Sequence, residues 1–298
     1  MTASSVGPSA PAAPTAADLD SALRFAAVQV CSTEDVEDNL TRCERLVRQA
    51  AAEGAQLVGL PENFAYLGSA RDHKLALAEP LDAPTPPGPI LARMTDLARN
   101  ARVHLLLGGF PERIPSSPGQ APRLGNTSVL LSPEGAIVAR YRKIHLFDVE
   151  VPGGQTFRES DDVMPGATPV VAATPWGGLG LSICYDLRFP ELYRDQSRQG
   201  ARFAAVPAAF TRQTGPDHWH VLLRARAIEN QLYVLAPAQW GQHGGTRASY
   251  GHALIVDPWG TVLADCSDKD GYALAPIDLA HQDRLRQRLP CLGHRRLP

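Results

Sequence analysis

Phe25-Ala26-Ala27-Val28-Gln29-Val30 is a short apolar run, and after it Val36, Leu40, Cys43, Val47 and Ala50 recur at helical spacing. Gly54 stands where a helix C′ residue is wanted, and Gln56 to Leu60 reads as a second strand. Strand, helix and strand at this spacing make a βαβ unit, right-handed by default, with the two strands parallel. Working outward, a helix is expected from Ile90 to Ala101 and a strand from His104 to Gly108. A polar Pro/Ser/Gly loop is expected from Pro111 to Gly125. Thr127 to Leu131 and Ala136 to Tyr141 flank the turn Ser132-Pro133-Glu134-Gly135 as a hairpin. The second half repeats this pattern. A strand at Leu179 to Ile183 leads to a helix opened by Pro190 and stopped by Gly200, then to the strand Phe203 to Val206. Pro216 opens a long helix to about Asn230, and Leu232 to Ala236, Ala253 to Val256 and Thr261 to Ala264 supply further strands. The fold class is therefore α/β, with two sheets or one large sheet covered by helices.

The 298 residues include 29 Lys and Arg against 31 Asp and Glu, a formal net charge of -2. That balance provides no basic field to hold a phosphate backbone, so nucleic acid is not expected as a partner. Every apolar run is broken by charge, Gly or Pro well short of the roughly 20 residues that span a bilayer, so no membrane segment is expected. Five cysteines, Cys31, Cys43, Cys184, Cys266 and Cys291, are irregularly spaced without a CxxC pair. This points to a reducing, cytoplasmic compartment and not to a disulfide framework or a zinc site. Residues 1–22 are rich in Ala, Pro and Ser and lack the apolar surface to order themselves, which leaves 23–298 as one domain. Gly (25) and Pro (26) make up about a sixth of the chain, above the ordinary share of roughly 12%. So many punctuators imply many ordered loops, and in α/β folds sites form at the carboxyl ends of strands.

Three residues stand at such ends. Cys184 follows Gly180-Leu181-Ser182-Ile183 where a strand turns toward a helix, so free backbone N–H groups are at hand to stabilise negative charge. Glu62, after Leu60-Pro61, is presented against Phe64 and Tyr66, surroundings expected to raise a carboxyl pKa and suit it to general-base work. Lys143 ends a third strand between Arg142 and an apolar segment. Taken singly, each has a plainer reading, as a small core thiol, a surface acid and a solvated strand-end charge. Together they supply a nucleophile, its base and a cation for developing negative charge on an attacked carbonyl.

The segments carrying these residues, Leu60-Pro-Glu-Asn, Tyr141-Arg-Lys-Ile-His-Leu-Phe-Asp and Ile183-Cys-Tyr-Asp-Leu-Arg-Phe-Pro-Glu-Leu, resemble the three motif regions of the nitrilase superfamily of carbon-nitrogen hydrolases. They occur in the same order, with 81 residues from Glu62 to Lys143 and 41 from Lys143 to Cys184. The resemblance continues through residues 215–230, Arg247-Ala-Ser-Tyr-Gly-His and Asp257-Pro-Trp-Gly. It implies a nitrilase-like α-β-β-α sandwich whose protomers pair into a four-layer α-β-β-α-α-β-β-α homodimer, and no metal or organic cofactor. It also implies Glu62 as general base, Lys143 as stabiliser of the tetrahedral intermediate, Cys184 as nucleophile and the Tyr185 N–H as the other half of the oxyanion hole. A further glutamate falls between the Lys and Cys motifs. Glu159, in Thr156-Phe-Arg-Glu-Ser, matches its place best, with Glu150 the other candidate.

Within the superfamily, Arg247-Ala-Ser-Tyr-Gly-His and Leu222-Leu-Arg-Ala-Arg-Ala-Ile-Glu are more similar to deaminated glutathione amidases than to omega-amidases. The resemblance thus implies a small-molecule amide as substrate, with omega-amidase, carbamoyl-amide hydrolase and inert scaffold as alternatives. A substrate ending in carboxylates calls for a guanidinium, and Arg188 and Arg247 are the candidates. Their plainer readings are a partner for Asp186 or Glu191 and an exposed loop charge. A cysteine-protease pairing of Cys184 with His145 or His220 would leave Glu62 and Lys143 without roles. His218 and His220 are two residues apart on a helix and face different ways, a poor start for a metal site. Trp219, Leu222, Leu223 and Ile228 read as one core stripe, of the kind that the family often buries between protomers.

Overall fold

Arg24–Val30 forms the first strand, β1, and its residues from Phe25 to Val30 are all buried. The computed structural model describes residues 22–68, 71–81, 87–115, 123–151, 155–245 and 247–297, so all of the N-terminal extension but Ala22 lies outside the described residues. In chain order there follow α1 (Val36–Ala52), β2 (Leu57–Gly59), α2 (Arg71–Leu77), α3 (Pro89–Ala101), β3 (His104–Ile114), β4 (Arg123–Leu131) and β5 (Ile137–Arg142). The middle of the chain forms β6 (Asp148–Val151), β7 (Gln155–Arg158), β8 (Val170–Thr174), β9 (Gly177–Leu181), α4 (Pro190–Arg198), β10 (Ala201–Ala205) and α5 (Gly215–Asn230). The remainder forms β11 (Tyr233–Ala236), β12 (Ala238–Gln242), β13 (Ala248–Tyr250), β14 (Leu254–Val256), β15 (Val262–Asp265), β16 (Gly271–Pro276) and α6 (Leu279–Arg288).

Local chemistry sets the helix bounds. The Asp35 carboxylate accepts from the Asp38 N–H at 3.0 Å and opens α1, and Gly54, in the left-handed region at φ +86°, follows its end. Pro89 and Pro190 stand in the first turns of α3 and α4. β1 and β2 pair in parallel, as the βαβ reading requires.

One sheet runs β13-β12-β1-β2-β3-β4-β5 with β16 also paired to β1, and the other runs β15-β14-β11-β10-β9-β8. Successive residues of a strand face opposite sides, and β1 shows the consequence. Ala26, Val28 and Val30 pack with Leu40, Leu46, Val47 and Met94 of α1 and α3. Phe25 and Ala27 join Leu179, Leu181, Phe203 and Val234 of the second sheet. Leu105 and Leu107 against Leu106, and Val129 and Leu131 against Leu130, divide in the same way. The layers are helices, sheet, sheet, helices, the expected α-β-β-α sandwich.

One expectation is corrected here. Pro111 to Gly125 is not one loop, because β3 continues to Ile114 and β4 begins at Arg123, paired in register Pro111 to Asn126 and Glu112 to Gly125. Residues 116–122 of that stretch lie outside the described residues, and Glu112 is bonded inside the sheet. Glu112 accepts from Thr127 Oγ1 (2.6 Å) and from Arg142 Nη2 (2.8 Å). Within the single chain Trp219 and Leu223 of the helix stripe are buried, while Ile228 is 48% exposed and neighbouring Val221 63%.

The layers meet closely at Gly108. A Cβ there would collide with the Leu60 carbonyl oxygen and with Pro207 Cβ. Gly108→Ala is therefore expected to destabilise the protein by about 1–3 kcal/mol, read as a lower urea midpoint at unchanged slope.

Candidate active site

Each candidate side chain leaves the end of a strand. Glu62 lies three residues beyond β2 and is held by a parallel bridge to Gly109. Lys143 follows β5 directly, and its backbone N–H donates to the Asn126 carbonyl at 2.9 Å. Cys184 stands three residues past β9, opening a 3-10 turn over Cys184–Arg188, with φ +48° and its N–H bonded to the Pro207 carbonyl at 2.9 Å. Such a backbone is uncommon for a side-chain-bearing residue and sets the thiol at a sharp bend. The first sheet thus supplies the carboxylate and ammonium, and the second the thiol.

The Lys143 ammonium is buried between two carboxylates, 2.9 Å from Glu62 Oε1 and 2.9 Å from Glu159 Oε2. Asn126 braces the same pair, its Nδ2 donating to Glu62 Oε1 and to Glu159 Oε1, each at 2.9 Å. The Ala209 N–H donates to Glu62 Oε2 (3.0 Å) and the Phe147 N–H to Glu159 Oε2 (2.8 Å). Glu159 therefore occupies the site, whereas Glu150 is exposed on β6. Asn126 escaped the sequence reading because it fell at the edge of the supposed loop. An asparagine inside a strand, where that residue is disfavoured, was the available signal.

The charges follow from these contacts. Burial alone would push the Glu62 carboxyl up, as its apolar neighbours suggested, but Lys143 and the Asn126 bond outweigh it, so its pKa lies below the ordinary range. The expectation of a raised value is corrected: Glu62 rests ionised. Burial would lower the Lys143 pKa, yet Glu159 and Glu62 hold it well above the ordinary lysine value. Burial and the Glu62 charge push the Cys184 thiol well above 9.0, although Lys143 pulls the other way. The resting set is carboxylate, ammonium and neutral thiol, with the Glu62 and Lys143 charges acting on the sulfur in opposite senses.

Asp186 ties the lysine segment to the cysteine turn. Fully buried, it accepts from Tyr141 Oη (2.8 Å), from the His145 backbone N–H (3.1 Å) and ring Nδ1 (2.7 Å), and from the Ile183 N–H (2.8 Å). His145 is thereby committed to Asp186, and His220 Nε2 to Asp265 at 2.7 Å. Neither supports a cysteine-protease pairing. His218 and His220 do diverge, the former lying 3.2 Å from Arg188. His220, His252 and Asp265 instead form a half-exposed cluster, outside the cavity lining, in which the carboxylate accepts from both rings.

A cavity of about 210 Å³ opens over Cys184, walled by Phe147, Phe157, Tyr185 and Phe210 among others. Tyr185 N–H, second on the 3-10 turn, precedes the first amide with an acceptor inside that turn, Asp186 to Ile183 at 3.1 Å. Arg188 lines the cavity without bonding Asp186. It stacks over Phe210 at 5.1 Å and reaches Thr214 Oγ1 at 3.3 Å. Arg247 lines it too.

A cysteine, a glutamate and a lysine converging at one end of this sandwich define the class of the molecule, a hydrolase acting on carbon-nitrogen bonds. The chain belongs to the carbon-nitrogen hydrolase family, whose sequence model matches residues 24–287. It is 48% identical over 272 residues to a deaminated glutathione amidase of Synechocystis sp., covering 91% of this chain and 97% of that one. The Caenorhabditis elegans NitFhit structure superposes with TM-score 0.83 at 40% identity, over 92% of this chain, which spans 65% of that one. Saccharomyces cerevisiae Nit3, described as a member of branch 10 of the nitrilase superfamily, gives 0.81 at 31% identity, over 92% of this chain and 97% of that one.

The raised Cys184 pKa makes a signed prediction. A group whose pKa is raised keeps its proton to higher pH, so the thiolate absorbance of wild type minus Cys184→Ala is expected to stay flat up to about pH 9. In Glu62→Gln the negative neighbour is gone, and the thiolate step moves to lower pH. A wild-type step below about pH 8 would contradict the charge assignment.

Proposed function

We propose that the protein is a cysteine-dependent amidase that hydrolyses deaminated glutathione, N-(4-carboxy-4-oxobutanoyl)-cysteinylglycine, to 2-oxoglutarate and Cys-Gly. The observation that carries the chemistry is the thiol of Cys184 beside an ionised Glu62 whose other neighbour is the Lys143 ammonium. The substrate rests on the named relatives and on the segments around Arg224 and Arg247.

In the reaction, Glu62 takes the Cys184 proton as the sulfur bonds to the amide carbon, and the C=O electron pair moves onto oxygen. Lys143 and the Tyr185 N–H hold that oxyanion. As the intermediate collapses, the carbon-nitrogen bond breaks and Glu62 gives its proton to the departing amine of Cys-Gly, leaving a thioester. Glu62 then takes a proton from water, the resulting hydroxide attacks the thioester, and the thiolate leaves and recovers the proton. One water is consumed and every group returns to its starting state. Glu159 keeps Lys143 charged and in place, and Arg188 and Arg247 pair with substrate carboxylates.

Residues 23–298 act as one catalytic domain, and five cysteines that are all free suit a reducing compartment such as the cytoplasm. No helix among the described residues is long and apolar enough to cross a membrane. The chain pairs with a second copy through α5, where exposed Val221 and Ile228 lie on the same side as the turn carrying Trp259, 62% exposed. Val221→Glu combined with Ile228→Glu is expected to leave a monomer in sedimentation equilibrium.

Steady-state hydrolysis of deaminated glutathione and of 2-oxoglutaramate tests the substrate, with 2-oxoglutarate as the product read in both. A preference for the former of a hundredfold in kcat/KM, about 2.7 kcal/mol of transition-state discrimination, is expected, with Cys184→Ala inactive on both. A preference for 2-oxoglutaramate makes the protein an omega-amidase.

A further inference from the structure

The catalytic set leaves two cations of the cavity without a task, the exposed Arg158 and the half-buried Lys74. Lys74 on α2 lines the cavity, and also borders a small recess behind Asn63 and Tyr66. Its helix is anchored by the next residue, since Leu75 packs on Ala78, Leu124 and Val163. Among the described residues the Lys74 ammonium makes no hydrogen bond or ion pair. The carboxylates whose field it feels, Glu159 and Glu62, are bonded to Lys143 and Asn126, and the other charges acting on it, Arg247 and Lys143, repel it. Burial holds its pKa below the ordinary lysine value, against the opposing pull of Glu159 and Glu62. The Arg247 side chain likewise has no hydrogen-bond or ion-pair partner among the described residues.

Two half-buried, unpaired cations from separate segments in one cavity repel each other, a cost that an anion between them removes. The charge of the whole cavity agrees. Five basic side chains line it against three carboxylates, an excess of two positive charges. Arg188 stands apart from Lys74 and Arg247, engaged with Phe210, Thr214 and His218.

We infer that Lys74 and Arg247 together form a carboxylate-binding subsite, separate from Arg188, so that the cavity takes a dianionic amide with a carboxylate at each of two places. The inference rests on the proposed amidase reading and deepens it. Lys74 is a specificity-determining residue, which binds the substrate and leaves the bond-breaking steps to Glu62, Lys143 and Cys184. The carboxylate it holds belongs either to the glycyl end or to the 2-oxo acid end.

The test is steady-state kinetics of wild type, Lys74→Met and Lys74→Arg on three substrates, deaminated glutathione, its glycinamide analogue and 2-oxoglutaramate. Lys74→Met is expected to raise KM about tenfold to hundredfold, the worth of a charged hydrogen bond, with kcat within about threefold of wild type. Lys74→Arg is expected to recover most of the loss, and both variants to melt with wild type. If Lys74 holds the glycyl carboxylate, the loss appears on deaminated glutathione alone. If it holds the 2-oxo acid carboxylate, the loss appears on all three. An unchanged KM on every substrate, or a fall in kcat alone, overturns the subsite. Should wild type turn over none of the three, the amidase reading fails separately, and calorimetric binding of deaminated glutathione, which carries both carboxylates, decides the subsite. Weaker binding by Lys74→Met supports it; equal binding, or none by either protein, overturns it.

Discussion

A lysine ammonium buried between two carboxylates is the constraint around which this end of the molecule is arranged. Taking three charges out of water costs several kcal/mol per ion unless geometry and hydrogen bonds are close to complete. The cluster meets that demand with the Asn126 amide across both acids and with backbone N–H groups of Ala209 and Phe147 on the remaining oxygens. Each of those donors sits on a different segment. The buried charges therefore fix where β4, the segment after β5, the turn after β10 and the loop bearing Glu159 stand relative to one another. Removing any one donor leaves an acid partly unpaired in a dry site.

That same arrangement reconciles a strongly acidic Glu62 with the base role proposed for it. At rest Lys143 gives one of its hydrogen bonds to Glu62, which keeps the carboxylate ionised and ready to receive a proton. In the proposed reaction negative charge appears on the substrate oxygen, and the ammonium is drawn to it. Its hold on Glu62 weakens at the moment when the thiol proton must transfer, so the basicity of Glu62 rises with the progress of attack. Glu159 remains bonded to the ammonium throughout and keeps it from following the new charge out of position. The neutral thiol is then no handicap, because the proton leaves only as the sulfur commits to carbon.

Local sequence carried the parts of the structure that depend on local chemistry. The alternation in Phe25 to Val30, the 3.6 spacing from Val36 to Ala50 and the turn around Gly135 each need only neighbours a few residues away. The three strand-end residues were legible for a related reason, since a polar group right after an apolar strand has few places to go. Asn126, Asp186 and Lys74 were not legible, because their significance lies in what they meet 33 to 64 residues away or in what they fail to meet. The pKa of Glu62 was misjudged on the same ground. Phe64 and Tyr66 are adjacent in sequence and argue for a raised value, while Lys143 is 81 residues distant and reverses it.

The distance between thiol and ammonium is set across two sheets, which makes the interlayer contacts part of the site. Lys143 belongs to the first sheet and Cys184 to the second, so relative sliding of the layers would separate them. Asp186 resists this from the cysteine turn by accepting from Tyr141 and from both donors of His145, residues on either side of Lys143. His145 also stacks on Phe189 at 3.7 Å, just past the same turn. A buried carboxylate with four donors has one stable placement, and both segments must conform to it. A chain needs two sheets to bring three strand ends to one point from opposite sides. It then needs a fixed polar link between them to hold sulfur, carboxylate and ammonium in register, and Asp186 supplies that link.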